Sequence, residues 1–226
     1  MIRVLIADDQ PLVRDGLAAI IGADPELEVV GEATNGRQAV RLVQQLQPDV
    51  VLMDVRMPEL DGIEATRAIV RGASASVRIL VLTTYDVDAY VYEALRAGAS
   101  GFLLKDAPRH QLLSGIRAVA AGDTLLAPAV TRRLVEQHLR RPAATETDAI
   151  LAELTQRERE ILELVGRGLS NAEIAERLTL GESTVKTHVG RVFSKLSLRD
   201  RAQAVVLSYE SGLIEPSGDV PEELRR

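Results

Sequence analysis

The 226-residue chain predicts an α/β domain built on a five-stranded, doubly wound parallel sheet of the flavodoxin-like type, followed by a small all-α domain of four helices. Three observations predict this. Short apolar runs alternate with helix-length segments through the first half of the chain. Four of these runs end in a polar residue: Ile2–Ala7 in Asp8-Asp9, Val50–Met53 in Asp54, Ile79–Leu82 in Thr83, and Phe102–Leu104 in Lys105. From Leu151 to Ser211 the sequence reads as helix throughout.

The elements follow in order. Ile2–Ala7 reads as a strand and Pro11–Gly22 as a helix, with Val13, Leu17, Ile20 and Ile21 on the face that packs on a sheet. Strand Glu28–Ala33 and helix Gly36–Gln45 come next, then strand Val50–Met53 and helix Gly62–Arg71. Strand Val77–Thr83, helix Val87–Ala97, strand Gly101–Leu104 and helix Arg109–Ala121 complete the alternation. Turn formers stand at the joints: Asp24-Pro25, Asn35-Gly36, Met57-Pro58, Gly98 and Gly122-Asp123. The second strand ends in Thr34-Asn35-Gly36 and adds nothing to the polar set. That suits an edge position in the strand order 2-1-3-4-5, where the four contributing strands are contiguous. The expected organisation is a first domain over 1–122, a linker over 123–150 with a helix at Pro128–Arg140, a second domain over 151–214, and a flexible tail over 215–226.

Composition narrows the function. There is no cysteine, which removes disulfides, thiolate metal sites and a thiol nucleophile. His110, His138 and His188 are too scattered to suggest zinc. No apolar run approaches the ~18 residues of a membrane span, and the acids in MIRVLIADD do not suit a signal peptide, so a cytoplasmic protein without a membrane partner is expected. The net charge of −6 argues against a generally basic nucleic-acid binder. Yet Ser183 to Arg201 sets Lys186, Arg191, Lys195, Arg199 and Arg201 against Asp200 alone. A local basic stripe on an acidic protein docks on a duplex without coating all nucleic acid.

In a parallel sheet the carboxyl ends of the strands share one edge, where ligands bind. Asp8, Asp9, Asp54, Thr83 and Lys105 therefore converge. Three carboxylates, a hydroxyl and an ammonium suit a divalent metal beside a phosphoryl group. Asp54 is the candidate phosphoacceptor, since a carboxylate can take a phosphoryl group as an acyl phosphate. Asp8 and Asp9 are the candidate Mg²⁺ ligands, with Asp54 and the backbone carbonyl of Arg56 completing the protein's share. Lys105 neutralises one phosphoryl oxygen and Thr83 hydrogen-bonds another. Singly, each Asp at a strand end is more often a turn former or helix cap. Their joint occurrence at adjacent strand ends favours the phosphoryl site.

These residues carry a resemblance. Ile6-Ala7-Asp8-Asp9, Asp54 with Met57-Pro58 and Asp61-Gly62, Leu82-Thr83-Thr84 and Phe102-Leu103-Leu104-Lys105 resemble a response-regulator receiver domain. The resemblance implies Mg²⁺-dependent phosphotransfer from a sensor histidine kinase to Asp54, and a switch that couples Thr83 to the aromatic Phe102. Many receivers have proline after the lysine; this chain has Asp106, so no cis X-Pro bond is expected there.

In the second half, Thr155 with Glu158 and Ser170 with Glu173 read as capping boxes opening two helices. Asn171–Leu178, the turn Thr179-Leu180-Gly181 and the longer Ser183–Leu196 give helix-turn-helix proportions. On the third helix Val185, Val189, Val192, Phe193 and Leu196 form the core face, while Lys186, Thr187, Gly190, Arg191 and Ser194 lie opposite and can face a major groove. An amphipathic helix with a solvated basic side is common; the caps, turn length and charge excess together favour duplex DNA. With no Trp, two Phe and four Tyr, a single-strand stacking platform is not expected.

Leu154–Leu162, Gly168–Ala175 and Glu182–Val189 are similar to the LuxR-type helix-turn-helix of the NarL/FixJ class. That similarity implies Lys186 and Thr187 near bases, with Ser183, Thr184, Arg191 and Lys195 near phosphates. Relatives often carry a lysine where this chain has Gly190. The last helix, about Arg199 to Ser211, is apolar on more than one face, so Val206 and Tyr209 are candidates for a homodimer contact. A phosphohydrolase is disfavoured, because Arg56 stands where a second acid is needed. Gly98-Ala99-Ser100-Gly101 precedes a strand, which excludes a nucleophile elbow. The expected function is a non-enzymatic, DNA-binding transcriptional regulator of a two-component system; the alternative is a DNA binder whose receiver is a phosphate-insensitive interaction module.

Overall fold

The computed structural model describes residues 1–72, 77–83, 90–122 and 151–214. The expected helix Pro128–Arg140, the linker after it and the tail lie outside the described residues. Two units are distinguished: an α/β unit up to residue 122 together with Leu198–Gln203, and an all-helical unit holding the other described residues from 151 onward.

The α/β unit runs β1 (Ile2–Ala7), α1 (Pro11–Gly22), β2 (Leu27–Ala33), α2 (Gly36–Leu46), β3 (Val50–Asp54), α3 (Gly62–Gly72), β4 (Arg78–Thr83), α4 (Tyr90–Ala97), β5 (Gly101–Leu104) and α5 (Arg109–Ala120). The strands form one parallel sheet in the order β2-β1-β3-β4-β5, the order expected from the sequence. Two bounds bear on function. β3 extends one residue beyond the reading, because Asp54 still pairs with Leu82 of β4. The expected start of α4 at Val87 lies outside the described residues.

Helices cover both faces of a parallel sheet, so its inner strands must be apolar on both sides. Val4–Ile6 and Val50–Met53 are accordingly fully buried. On one face Val4, Ile6, Val50, Leu52, Leu80 and Leu82 pack with Leu112, Ile116 and Val119 of α5, with Leu17 and Ile20 of α1 against them. Each fully buried aliphatic side chain contributes about 1.5–3 kcal/mol before entropy is counted. Edge strand β2 is buried only at Leu27 and Ala33. Local signals fix the helix starts: Pro11 opens α1, and the Asn35 side chain accepts the Gln38 N–H at the head of α2.

From residue 151 onward the chain forms α6 (Gln156–Gly166), α7 (Asn171–Leu178), α8 (Glu182–Lys195) and α9 (Arg201–Glu210), the first three residues of α9 being grouped with the α/β unit. Both capping boxes form as read, Thr155 with Glu158 and Ser170 with Glu173. Thr179 ends α7 in the left-handed region at φ 53°, and Gly181 caps α8 after the short turn. The core face of α8 is narrower than expected. Val185, Val189 and Val192 are buried, whereas Phe193 and Leu196 are half-buried. Gly166 lets α9 approach α6: a Cβ there would lie 2.3 Å from Ile214 Cδ1 and 2.6 Å from Ser208 Cβ. Val206 and Tyr209, expected to offer spare apolar surface, are 5% and 4% exposed. The chain itself covers them, and burial pushes the Tyr209 phenol above its ordinary range.

Candidate functional site

The carboxyl edge of the sheet gathers the predicted residues. Asp8 follows β1 directly; its N–H donates to the Ala33 carbonyl at 3.0 Å and its Oδ1 accepts the Gln10 N–H at 2.9 Å. It is therefore a turn former as well as a member of the cluster. Asp8 and Asp54 are buried and Asp9 is exposed, and one carboxylate oxygen from each lies within 4.8 Å of the others. Lys105 Nζ stands 2.7 Å from Asp8 Oδ2 and 3.0 Å from Asp54 Oδ1.

Burial pushes the Asp54 carboxyl above its ordinary range, against the pull of Lys105 and with the neighbouring Asp8 and Asp9 adding to the rise. At Lys105 burial disfavours the ammonium, but hydrogen bonds to Asp8 and Asp54 outweigh it and hold the proton more firmly than usual. Three carboxylates face one ammonium, so the edge keeps an excess of negative charge. Hard oxygen donors at this spacing fit a hard divalent cation.

Thr83 ends β4 and is buried; its carbonyl accepts the Lys105 N–H at 2.8 Å. Phe102 pairs with Val81 and Leu104 with Thr83, which puts Phe102 and Thr83 on the same face of the sheet. The Phe102 ring is buried. Arg56 lies in the segment between β3 and α3 with its side chain exposed.

Two residues that shape this site were not singled out from the sequence. Arg14 Nη1 donates to the Asp8 carbonyl at 2.9 Å while its Nε lies 3.4 Å from Glu32 Oε2, tying α1 and β2 to the end of β1. A lone arginine one turn into α1 gave no distinguishing signal. Gly62 donates its N–H to the Val55 carbonyl at 2.9 Å, and a Cβ there would lie 1.9 Å from the Asp54 carbonyl oxygen. Asp61-Gly62 stood in the motif, but only the close approach explains the glycine.

In the helical unit α8 presents Ser183, Thr184, Lys186, Thr187, Gly190, Arg191 and Ser194 as exposed residues. The Thr187 hydroxyl donates to the Ser183 carbonyl at 3.0 Å. Lys195, expected near phosphates, is held within the unit: Nζ donates to Glu158 Oε2 at 2.7 Å and to the Glu153 carbonyl at 3.2 Å. The same Glu158 oxygen accepts the Thr155 N–H and hydroxyl, each at 2.9 Å. The Lys195 ammonium, with these hydrogen bonds, holds the Glu158 carboxyl down at about 2.

Both halves of the chain match known families. Residues 4–117 match the family model for the response regulator receiver domain, and residues 152–208 match that for bacterial regulatory proteins of the luxR family. The chain is 42% identical over 214 residues to an uncharacterized transcriptional regulatory protein, YxjL, of Bacillus subtilis, covering 95% of this chain and 98% of that one. It is 41% identical over 207 residues to the nitrate/nitrite response regulator protein NarL of Escherichia coli, covering 92% and 94%. Among solved structures, the response regulator ChrA of a heme-sensing two-component system is 38% identical, with a TM-score of 0.52 over 94% of this chain and 98% of that one. A structure of two RcsB dimers on two parallel DNAs is 25% identical, with a TM-score of 0.54 over 92% and 98%.

Proposed function

The chain belongs to the NarL/FixJ family of two-component response regulators, and from that premise we propose that a sensor histidine kinase phosphorylates Asp54 to control its binding to promoter DNA. The observation that carries this reading is Lys105 bridging Asp8 and Asp54, 2.7 Å and 3.0 Å away, inside a group of three carboxylates.

Asp54 is the phosphoacceptor. A carboxylate oxygen attacks phosphorus, an oxygen–phosphorus bond forms, and the bond to the kinase's imidazole nitrogen breaks. Asp8, Asp9, Asp54 and the Arg56 carbonyl would hold Mg²⁺, which would supply charge neutralisation for the approaching phosphoryl group. Lys105 then exchanges part of its ion pairing for a phosphoryl oxygen, and the Thr83 hydroxyl takes another. The pull on Thr83 is passed to the sheet face it shares with Phe102.

The output is DNA binding through α8. Lys186 and Thr187 reach base edges, while Ser183, Thr184 and Arg191 meet phosphates. Lys195 serves chiefly to hold the helix in place. Phosphorylation favours a homodimer that offers two such helices to two half-sites. A dimer contact through Val206 and Tyr209 requires that they be uncovered, since both are buried here. Among the described residues no helix is long and apolar enough to cross a membrane, and the reading places the protein with its promoters in the cytoplasm.

Incubation with a small phosphodonor and Mg²⁺, followed by intact-protein mass measurement, tests the chemistry. Wild type should gain one phosphoryl group and sediment as a heavier species, whereas Asp54→Asn should do neither. Equal labelling of Asp54→Asn refutes the assignment of the acceptor. Labelling of wild type with no change in sedimentation or DNA affinity replaces the switch with a passive interaction module.

A further inference from the structure

Gly190 stands inside α8, five residues before the helix ends at Lys195. Glycine is the least favourable ordinary residue in a helix interior, because it loses the most backbone freedom and brings no side chain. A helix keeps one at no disadvantage where the backbone is left-handed or where a neighbouring atom fills the space a Cβ would take. Neither applies here. Gly190 is absent from the positive-φ glycines, and a Cβ built on it would meet nothing within 4 Å. The contrast with Gly166 and Gly62, whose Cβ would strike atoms at 2.3 Å and 1.9 Å, is direct. Nothing within the described residues calls for a glycine at this position.

Its neighbours point outward. Gly190 lies one helical turn beyond Lys186 and Thr187 and one turn before Ser194, with Arg191 beside it. All five are exposed. The glycine therefore makes a notch in the middle of the one cationic, hydroxyl-bearing face of the helix. A duplex pressed against that face comes nearer to the helix axis at the notch than at any flanking position.

We infer that Gly190 is a specificity-determining position, where the bare helix backbone seats the major-groove edge of a base pair that any larger residue would push away. The inference rests on the reading of α8 as the DNA-contacting helix. Glycine's cost to the helix is then offset by closer contact in the complex, and the position excludes competing sequences by fit rather than by a hydrogen bond.

The test uses the full-length protein and the duplex that wild type enriches from a randomised pool. Gly190→Ala should raise the unfolding midpoint of the helical domain by about 4–8 °C, through better helix propensity in open space. The same change should weaken binding to the enriched duplex at least tenfold and leave binding to random DNA unchanged. Gly16→Ala is the control: Gly16 in α1 has equally open surroundings but no cationic face, so stability should rise with DNA binding untouched. Gly190→Lys should bind random DNA more tightly while its preference for the enriched duplex falls. Gly190→Ala that binds the enriched duplex as well as wild type overturns the inference. A loss that is equal on random DNA also overturns it, by assigning the notch to the phosphate backbone. Wild type that enriches no sequence refutes instead the DNA-binding reading on which the inference rests.

Discussion

Replacing Gly62 by alanine should perturb the proposed phosphoryl site without touching any of its polar side chains. The added Cβ would lie 1.9 Å from the Asp54 carbonyl oxygen and 3.1 Å from Met53 Cγ. A carbon and a carbonyl oxygen do not normally approach closer than roughly 3.2 Å, so the end of β3 or the start of α3 must yield by about 1 Å. Two interactions resist that shift: Gly62 donates to the Val55 carbonyl at 2.9 Å, and its own carbonyl accepts the Thr66 hydroxyl at 2.7 Å. Overpacking of this kind costs ~1–3 kcal/mol, or about 4–12 °C in the unfolding midpoint of a domain this size. The chemical effect should be larger. Displacing a reacting group by about 1 Å lowers a rate by roughly a hundredfold. Phosphorylation of Gly62→Ala, followed by intact mass against time with a small phosphodonor and saturating Mg²⁺, should be slowed on that scale while Asp54 remains the labelled residue. A variant that melts with wild type and is labelled at the wild-type rate refutes the argument, because the close approach would then have relaxed without moving Asp54.

The two exposed cations of α8 should separate by salt and sequence. Lys186→Ala is expected to cost ~1–3 kcal/mol on the enriched duplex only, whereas Arg191→Ala weakens all duplexes alike and flattens the dependence of binding on salt; equal losses for Lys186→Ala would move it to the phosphate class. A third expectation concerns acid. The Glu158 carboxyl is held down at about 2 from an ordinary 4.5, so its contribution to stability is present above pH 4.5 and is lost as pH falls toward 2. Glu158→Gln should lower the unfolding midpoint at neutral pH and close the gap to wild type across that acidic window. A gap that stays constant with pH would mean that the ion pair with Lys195 is not its source.

The sheet order and the convergence of Asp8, Asp9, Asp54, Thr83 and Lys105 were legible because continuous apolar runs in a βα rhythm leave few topologies, and that topology sends every strand end to one edge. The capping boxes were legible because their partners lie three residues apart. What escaped the sequence depends on distant parts of the chain meeting. Gly62 is explained by a carbonyl eight residues earlier, and Arg14 by a carbonyl beyond a turn and a carboxylate on β2. Lys195 looked like one more cation on a basic helix, since nothing local marks Glu158 as its partner. The burial of Val206 and Tyr209 is likewise a property of the folded chain, because an apolar surplus on α9 does not say what covers it.

The oxygen of Glu158 that closes the Thr155 cap also holds the last turn of α8 through Lys195. The pose of α8, the helix proposed to contact DNA, is thus tied at its far end to a residue on α6, outside the helix-turn-helix pair. A chimera that exchanges only α7 and α8 between regulators brings a new reading surface but severs this tie. It would present the intended side chains at an unintended angle. The exchangeable part of this output domain begins at Thr155, and a designer who cuts at Ser170 divides a single mechanical piece.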